Sequence, residues 1–288
     1  MTPPAKIFLD YTQDELDQAY DQRVWAPDAA EIIQRYTTNS AAVRQKYPPR
    51  TAQYGPSDDE TLDIFAPAGA GGLPVVAYIH GGAWQRLTKD DSCASAPTFV
   101  ANGVIYVALN FAVIPKVRLP DMAEQCRQAL VWLYKNIARF GGDPDRIAVC
   151  GHSSGGHLTG VMLTTDWTAY GAPAGLLKAG LSMSGMYELH PVMLSARSSY
   201  VKISPEELAA LSAMRHLERI TCPVIVAWGG RESPEFKRQS GEFATALAGM
   251  DRLRARFELP QANHFQVPEV LNDANSEVSR AFLAMVKG

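Results

Sequence analysis

Cysteine is scarce in this chain, and its four residues, Cys93, Cys126, Cys150 and Cys222, stand far apart with no C-x-x-C pairing. That spacing builds neither a zinc site nor a disulfide framework, and it fits a reducing compartment. Long apolar runs are also missing. No stretch reaches the roughly 20 residues of a membrane-spanning helix, and the stretch from Met1 to Asp10 has no basic start followed by a sustained apolar segment. The expected location is therefore the cytoplasm, without a membrane partner. An excess of charge of one sign is lacking too, since 27 Lys and Arg stand against 30 Asp and Glu for a formal net charge of -3. Nothing in that balance gives reason to expect nucleic acid, and a small molecule is the expected partner. None of the histidines has metal-ligand spacing, so neither a metal nor another cofactor is expected. A homodimer is compatible with this composition.

What is present suits one large α/β domain over residues 1–288, with 47% hydrophobic and 20% charged residues. Short apolar, β-branched runs alternate with helical patterns. Thr61 to Phe65 alternates as a half-buried strand, and strands are predicted at Leu73 to Ile79, Val104 to Leu109, Arg146 to Cys150, Leu176 to Ser184, Pro223 to Trp228 and Arg254 to Leu259. Helices are predicted at Ala94 to Ala101, over Asp121 to Phe140, and from about Pro234 and Pro268. This alternation implies a mostly parallel central sheet with helices on both faces. Two segments read as lid or cap: 12–47, polar and helix-prone with a stop at Pro48-Pro49, and 185–220, of mixed polarity with Pro191 and Pro205. Tyr20 and Trp25 of the first are candidates to face a substrate.

The chemistry centres on Gly151-His152-Ser153-Ser154-Gly155, a G-x-S-x-G element between a predicted strand and helix. A serine on so sharp a turn takes a strained backbone, and Gly151 and Gly155 remove the Cβ atoms that would collide there. The hydroxyl is lifted above the sheet, beside the unpaired N–H groups of a helix N-terminus. Upstream, His80-Gly81-Gly82-Ala83-Trp84 follows a strand and supplies main-chain N–H groups for an oxyanion; with Gly82 and Ala83, the third donor is Ser154. Downstream, Glu232 and His264 each lie just past a strand, giving the chain order Ser, acid, His of an α/β-hydrolase triad. Glu235 is a rival for the acid. Trp84, Phe111, His152, Trp167 and Phe265 are candidates to line a substrate pocket.

His80-Gly81-Gly82-Ala83-Trp84, Gly141-Gly142-Asp143-Pro144-Asp145-Arg146-Ile147, Gly151 to Leu158 and Ser233-Pro234-Glu235-Phe236-Lys237-Arg238-Gln239-Ser240 together resemble the kynurenine formamidase branch of the hormone-sensitive-lipase-like α/β hydrolases. The resemblance spans about Asp63 to Phe265. It implies the α/β-hydrolase fold with a small helical cap, and a cofactor-independent serine hydrolase of small aryl amides such as N-formyl-kynurenine, or of short-chain esters. A carboxylesterase without formamidase activity, or a ligand-binding protein on the same scaffold, are the alternatives. The resemblance implies Ser153 as nucleophile, His264 as base and Glu232 as the acid, where an aspartate is usual. Phe111 stands where a tyrosine is usual, so a hydroxyl is lost there.

Overall fold

The computed structural model describes residues 4–288; Met1, Thr2 and Pro3, part of the stretch expected to carry no leader, lie outside the described residues. Among the described residues eight strands form one sheet: β1 (Arg50–Gln53), β2 (Thr61–Phe65), β3 (Leu73–Ile79), β4 (Ile105–Leu109), β5 (Gly142–His152), β6 (Leu177–Met183), β7 (Val224–Gly229) and β8 (Leu253–Leu259). Their order across the sheet is β1-β2-β4-β3-β5-β6-β7-β8. The pairings β1·β2 and β2·β4 are antiparallel and the others parallel. This is the α/β-hydrolase fold.

The two-residue period of the strands sorts their side chains onto two faces. Val75, Ala77 and Ile79 of β3 join one apolar layer, with Val107, Val149 and Val226. Val76 and Tyr78 join the other, with Tyr106, Cys150 and Ala227. The first face is covered by α4 (Leu119–Asn136), α5 (Ser154–Leu163) and α8 (Pro234–Gly249), and the second by α3 (Ala96–Ala101) and α9 (Glu277–Lys287). Burial of both faces is why the central strands read as continuous apolar runs. Only β8, at the sheet edge, alternates between half-buried and exposed.

The N-terminal segment folds as α1 (Gln13–Tyr20), a 3-10 turn at Gln22–Trp25 and α2 (Ala29–Lys46). Thr12 and Glu15 cap α1 reciprocally, which satisfies two of its orphan N–H groups. Segment 185–220 holds α6 (His190–Leu194), α7 (Pro205–Leu211) and three 3-10 turns.

Several elements differ from expectation. β1 carries no strong pattern and forms because β2 offers it an edge. Strand β2 is not half-buried: Asp63 is fully buried, and it is neutralised by Arg44 of α2 and by Lys89 at 3.2 Å. The helix expected over Asp121 to Phe140 is α4 followed by a 3-10 turn at Ile137–Phe140. Pro268 opens only a 3-10 turn, Val267–Asn272, and the last helix starts later, capped by Ser276.

Candidate active site

The carboxyl ends of β3, β5, β6, β7 and β8 converge on one edge of the sheet, where α/β proteins place their ligands. Chain leaving β5 turns at Ser153, whose φ of 58° is left-handed, and enters α5 at Ser154. Such a conformation costs on the order of 1–3 kcal/mol in a non-glycine residue. It is held by the Ser153 N–H, which donates to the Met183 carbonyl at 2.9 Å, and by the close seating of α5. A Cβ on Gly155 would lie 2.1 Å from the Ile79 carbonyl oxygen, so only glycine lets the helix sit this near β3.

The turn after β8 carries His264. Asn263 fixes it: its Nδ2 donates to Asp28 at 2.8 Å, and its Oδ1 accepts from the Phe265 and Gln266 N–H groups. The turn after β7 carries Glu232, and the two turns are tied by the Arg231 N–H donating to the Ala262 carbonyl at 3.1 Å. As a result Ser153 Oγ lies 2.8 Å from His264 Nε2, and His264 Nδ1 lies 3.1 Å from Glu232 Oε1. With Nδ1–H donating to the carboxylate, Nε2 is free to accept the serine proton. All three residues are buried.

Glu232 Oε1 also accepts from Ser184 Oγ at 2.5 Å, whereas its Oε2 is buried without a partner among the described residues. Burial, opposed by the Ser184 bond, pushes this carboxyl up to about 7. Burial and then the charge of Arg197 push the His264 imidazole down to about 3. Ser184 gave no sequence signal; it follows β6 directly, and only the parallel pairing of β6 with β5 and β7 brings it to the acid. The two ring nitrogens of His264 are taken by Glu232 and Ser153, and Glu235 is engaged elsewhere. It lies on the first turn of α8, fully buried, paired with Arg238 at 2.5 Å and accepting from Tyr20 Oη at 2.9 Å.

Gly82, at φ 107°, could not carry a Cβ, which would meet the Arg86 carbonyl oxygen at 2.0 Å. Ala83 and Trp84 also have positive φ, and the Trp84 N–H donates to Ser154 Oγ at 3.2 Å, locking this loop to α5. Among the described residues the N–H groups of Gly82, Ala83 and Ser154 have no protein acceptor. They are available to an oxyanion.

A cavity of about 430 Å³ opens onto Ser153 and His264. Of the residues expected to line it, His152 and Phe265 do. Trp84, Phe111 and Trp167 do not: Trp84 packs edge-on against His157 and donates its indole N–H to Nδ1 at 3.3 Å, Phe111 stacks on His80 at 4.2 Å, and Trp167 is buried against Tyr170. Besides Phe265, the aromatic wall comes from Tyr20, Tyr36, Tyr78, Tyr106 and Tyr200, with Arg197 beside them. Tyr20 thus reaches the cavity, whereas Trp25 is exposed elsewhere. Both candidate cap segments supply lining. No group of three His, Cys, Asp or Glu side chains among the described residues could hold a metal ion.

Fold and site define a serine hydrolase of the α/β-hydrolase class, acting on amides or esters. A BD-FAE family profile matches residues 62–169, and a Carboxylesterase family profile matches 124–216. The kynurenine formamidase of Danio rerio is 30% identical over 96% of this chain and 97% of its own, and that of Salmo salar is 29% identical over the same shares. The chain belongs to the kynurenine formamidase family. An esterase structure from Pyrobaculum calidifontis superposes with a TM-score of 0.67 over 95% of this chain and 98% of its own, at 19% identity. A Silicibacter sp. structure described as a thioesterase reaches 0.81 at 24% identity, covering 93% and 98%. Those likenesses speak for the fold.

Proposed function

We propose that this enzyme cleaves small aryl formamides of the N-formyl-kynurenine type through an acyl-enzyme on Ser153. The reading is carried by the continuous chain from Ser153 Oγ through His264 to Glu232, together with the family. Ser153 Oγ attacks the formyl carbon while His264 Nε2 takes its proton, and the oxyanion is met by the Gly82, Ala83 and Ser154 N–H groups. The C–N bond then breaks, and His264 returns the proton to the departing amine. Water, deprotonated by the same imidazole, releases formate and restores Ser153. Glu232 holds the Nδ1–H tautomer and offsets the charge of the transient imidazolium. Four buried cysteines that form no disulfide support a reducing compartment, and we place the enzyme in the cytoplasm.

Two measurements test this. Ser153→Ala should stay folded, lose stoichiometric labelling by a fluorophosphonate and fall at least about 10⁴-fold in kcat; more than a tenth of wild-type turnover refutes the nucleophile. A panel of formanilides and short-chain aryl esters tests the substrate. The second reading, a carboxylesterase, is favoured by the Carboxylesterase profile over 124–216, and ester cleavage without formamide cleavage would select it.

A further inference from the structure

Arg197 sits in the 3-10 turn Ala196–Ser199 and lines the same cavity as Ser153 and His264. Its position is fixed: Nε and Nη2 donate to the Tyr20 carbonyl at 3.2 and 2.7 Å, and the guanidinium lies over the rings of Tyr20 and Trp84, 5.9 and 5.5 Å from their centroids. The remaining nitrogen, Nη1, is buried and has no hydrogen-bond partner among the described residues. A guanidinium does not lose its proton, so this is a permanent charge with an unused donor.

Among the described residues every carboxylate lining the cavity already has another partner. Asp21, which is close enough to feel Arg197, is held bidentately by Arg23 at 2.9 Å. Glu269 is paired with Arg35, Asp91 caps the turn at Thr88, and Asp17 accepts from the Ala196 N–H. No ion pair among the described residues includes Arg197. Arg197 is half-buried, and a partly desolvated cation with a buried donor and no ion-pair partner among the described residues is costly unless a ligand supplies the counter-charge.

We infer that Arg197 anchors a carboxylate carried by the leaving group of the substrate. The inference deepens the formamidase reading and rests on it. A formyl group has no position for a carboxylate, and the amine leaves by way of His264, the residue whose imidazole feels Arg197. That field opposes the imidazolium formed during reaction. A bound carboxylate cancels it, so the anion assists catalysis as well as binding, and neutral substrates are penalised in kcat as well as KM.

The test uses an N-formylaniline bearing a short carboxyalkyl chain and the same compound as its primary carboxamide, with the matching pair of phenyl acetates. All four are assayed on the wild type, Arg197→Gln and Arg197→Lys. Because each pair is measured on one preparation, partial loss of folded protein cancels in the ratio. The wild type should prefer the carboxylate by about 10- to 100-fold in kcat/KM, the worth of a hydrogen bond between charged groups. In Arg197→Gln the ratio should approach one, and in Arg197→Lys part of it should remain. A ratio near one in the wild type, or an unchanged ratio in Arg197→Gln, overturns the anchor while leaving formamide cleavage standing. Carboxylate preference confined to the esters, with neither formamide cleaved, upholds the anchor and overturns the formamidase reading.

Discussion

Replacing Glu232 by glutamine keeps the shape of the acid and removes its charge, and the structure gives the consequences of each. The amide oxygen can take the place of Oε1 and accept from both Ser184 and His264, so the imidazole keeps its tautomer. What is lost is the attraction between a carboxylate and the imidazolium 3.1 Å away. At an effective dielectric constant of about 20 a unit-charge pair at this distance is worth about 5 kcal/mol. The amide dipole recovers part of it, and kcat should fall by about 10² to 10⁴. The pH profile gives a second readout. The competent state has Glu232 ionised and His264 neutral, and on acidification the pair takes its first proton at about 7, where burial has placed the carboxyl. Wild-type kcat/KM should therefore decline as pH falls through about 7. In Glu232→Gln only His264 can take that proton, and burial with Arg197 holds it near 3. The variant should be slow but flat from pH 8 down to pH 5.

The same shift bears on stability. The folded carboxyl titrates at about 7 against an ordinary 4.5, so between these values the folded state holds more protons and the wild type loses stability as pH rises, by on the order of 3 kcal/mol. The variant lacks that loss. Between pH 4.5 and pH 8 the difference in unfolding free energy should move in its favour by this order. Steady-state rates on a chromogenic ester from pH 4.5 to 9, with thermal unfolding in the same buffers, read all three quantities. A kcat drop under tenfold, or an acid limb left at about 7 in the variant, would refute the assignment of Glu232.

Glu235→Gln should do the opposite. It removes the charge facing Arg238, which is partly exposed and keeps Glu242 at 2.5 Å, so unfolding should ease by about 1–3 kcal/mol while kcat stays within about threefold; a larger kcat loss than in Glu232→Gln would return the acid role to Glu235. Gly155→Ala forces a Cβ to within 2.1 Å of the Ile79 carbonyl oxygen, so α5 must shift, and both the rate of fluorophosphonate labelling and the melting temperature should drop. Labelling at the wild-type rate would show that the turn at Ser153 does not depend on that close approach.

Much of the fold and part of the site were legible because their constraints are local. A serine at φ 58° with glycines around it, or a loop of three successive positive φ values after a strand, can be built from few sequences, and Gly82-Ala83-Trp84 and Gly151 to Gly155 are such sequences. Continuous apolar runs marked the strands because both faces of the sheet are covered. Features that depend on distant chain left no local trace. Asp63 reads as an outward position of an alternating, half-buried strand until α2 brings Arg44 over it. Trp84 looks like a pocket wall from its place beside the oxyanion loop, yet His157 draws its ring inward. Arg197 lies in a segment with no period to read, and only its meeting with Tyr20, 177 residues away, marks it out.

The choice between Glu232 and Glu235 shows the same division within four residues. Both follow a strand and both are acidic, so spacing alone does not separate them. The boundary is Ser233, whose Oγ accepts from the Phe236 N–H and starts α8 at Pro234. Glu232 stays in the turn, where Gly229 leaves its Cγ room and the turn bearing His264 lies alongside. Glu235 has entered the helix, and its side chain projects with the first turn toward α1. There Tyr20 and Arg238 occupy it, Gln239 donates to the same Tyr20 hydroxyl at 2.9 Å, and Gln22 donates to Ser233 Oγ at 2.8 Å. The helix start therefore sorts the two carboxylates into different work. One reaches across the sheet edge to the imidazole, and the other ties the N-terminal segment to α8 so that Tyr20, and through its carbonyl Arg197, are held at the cavity wall.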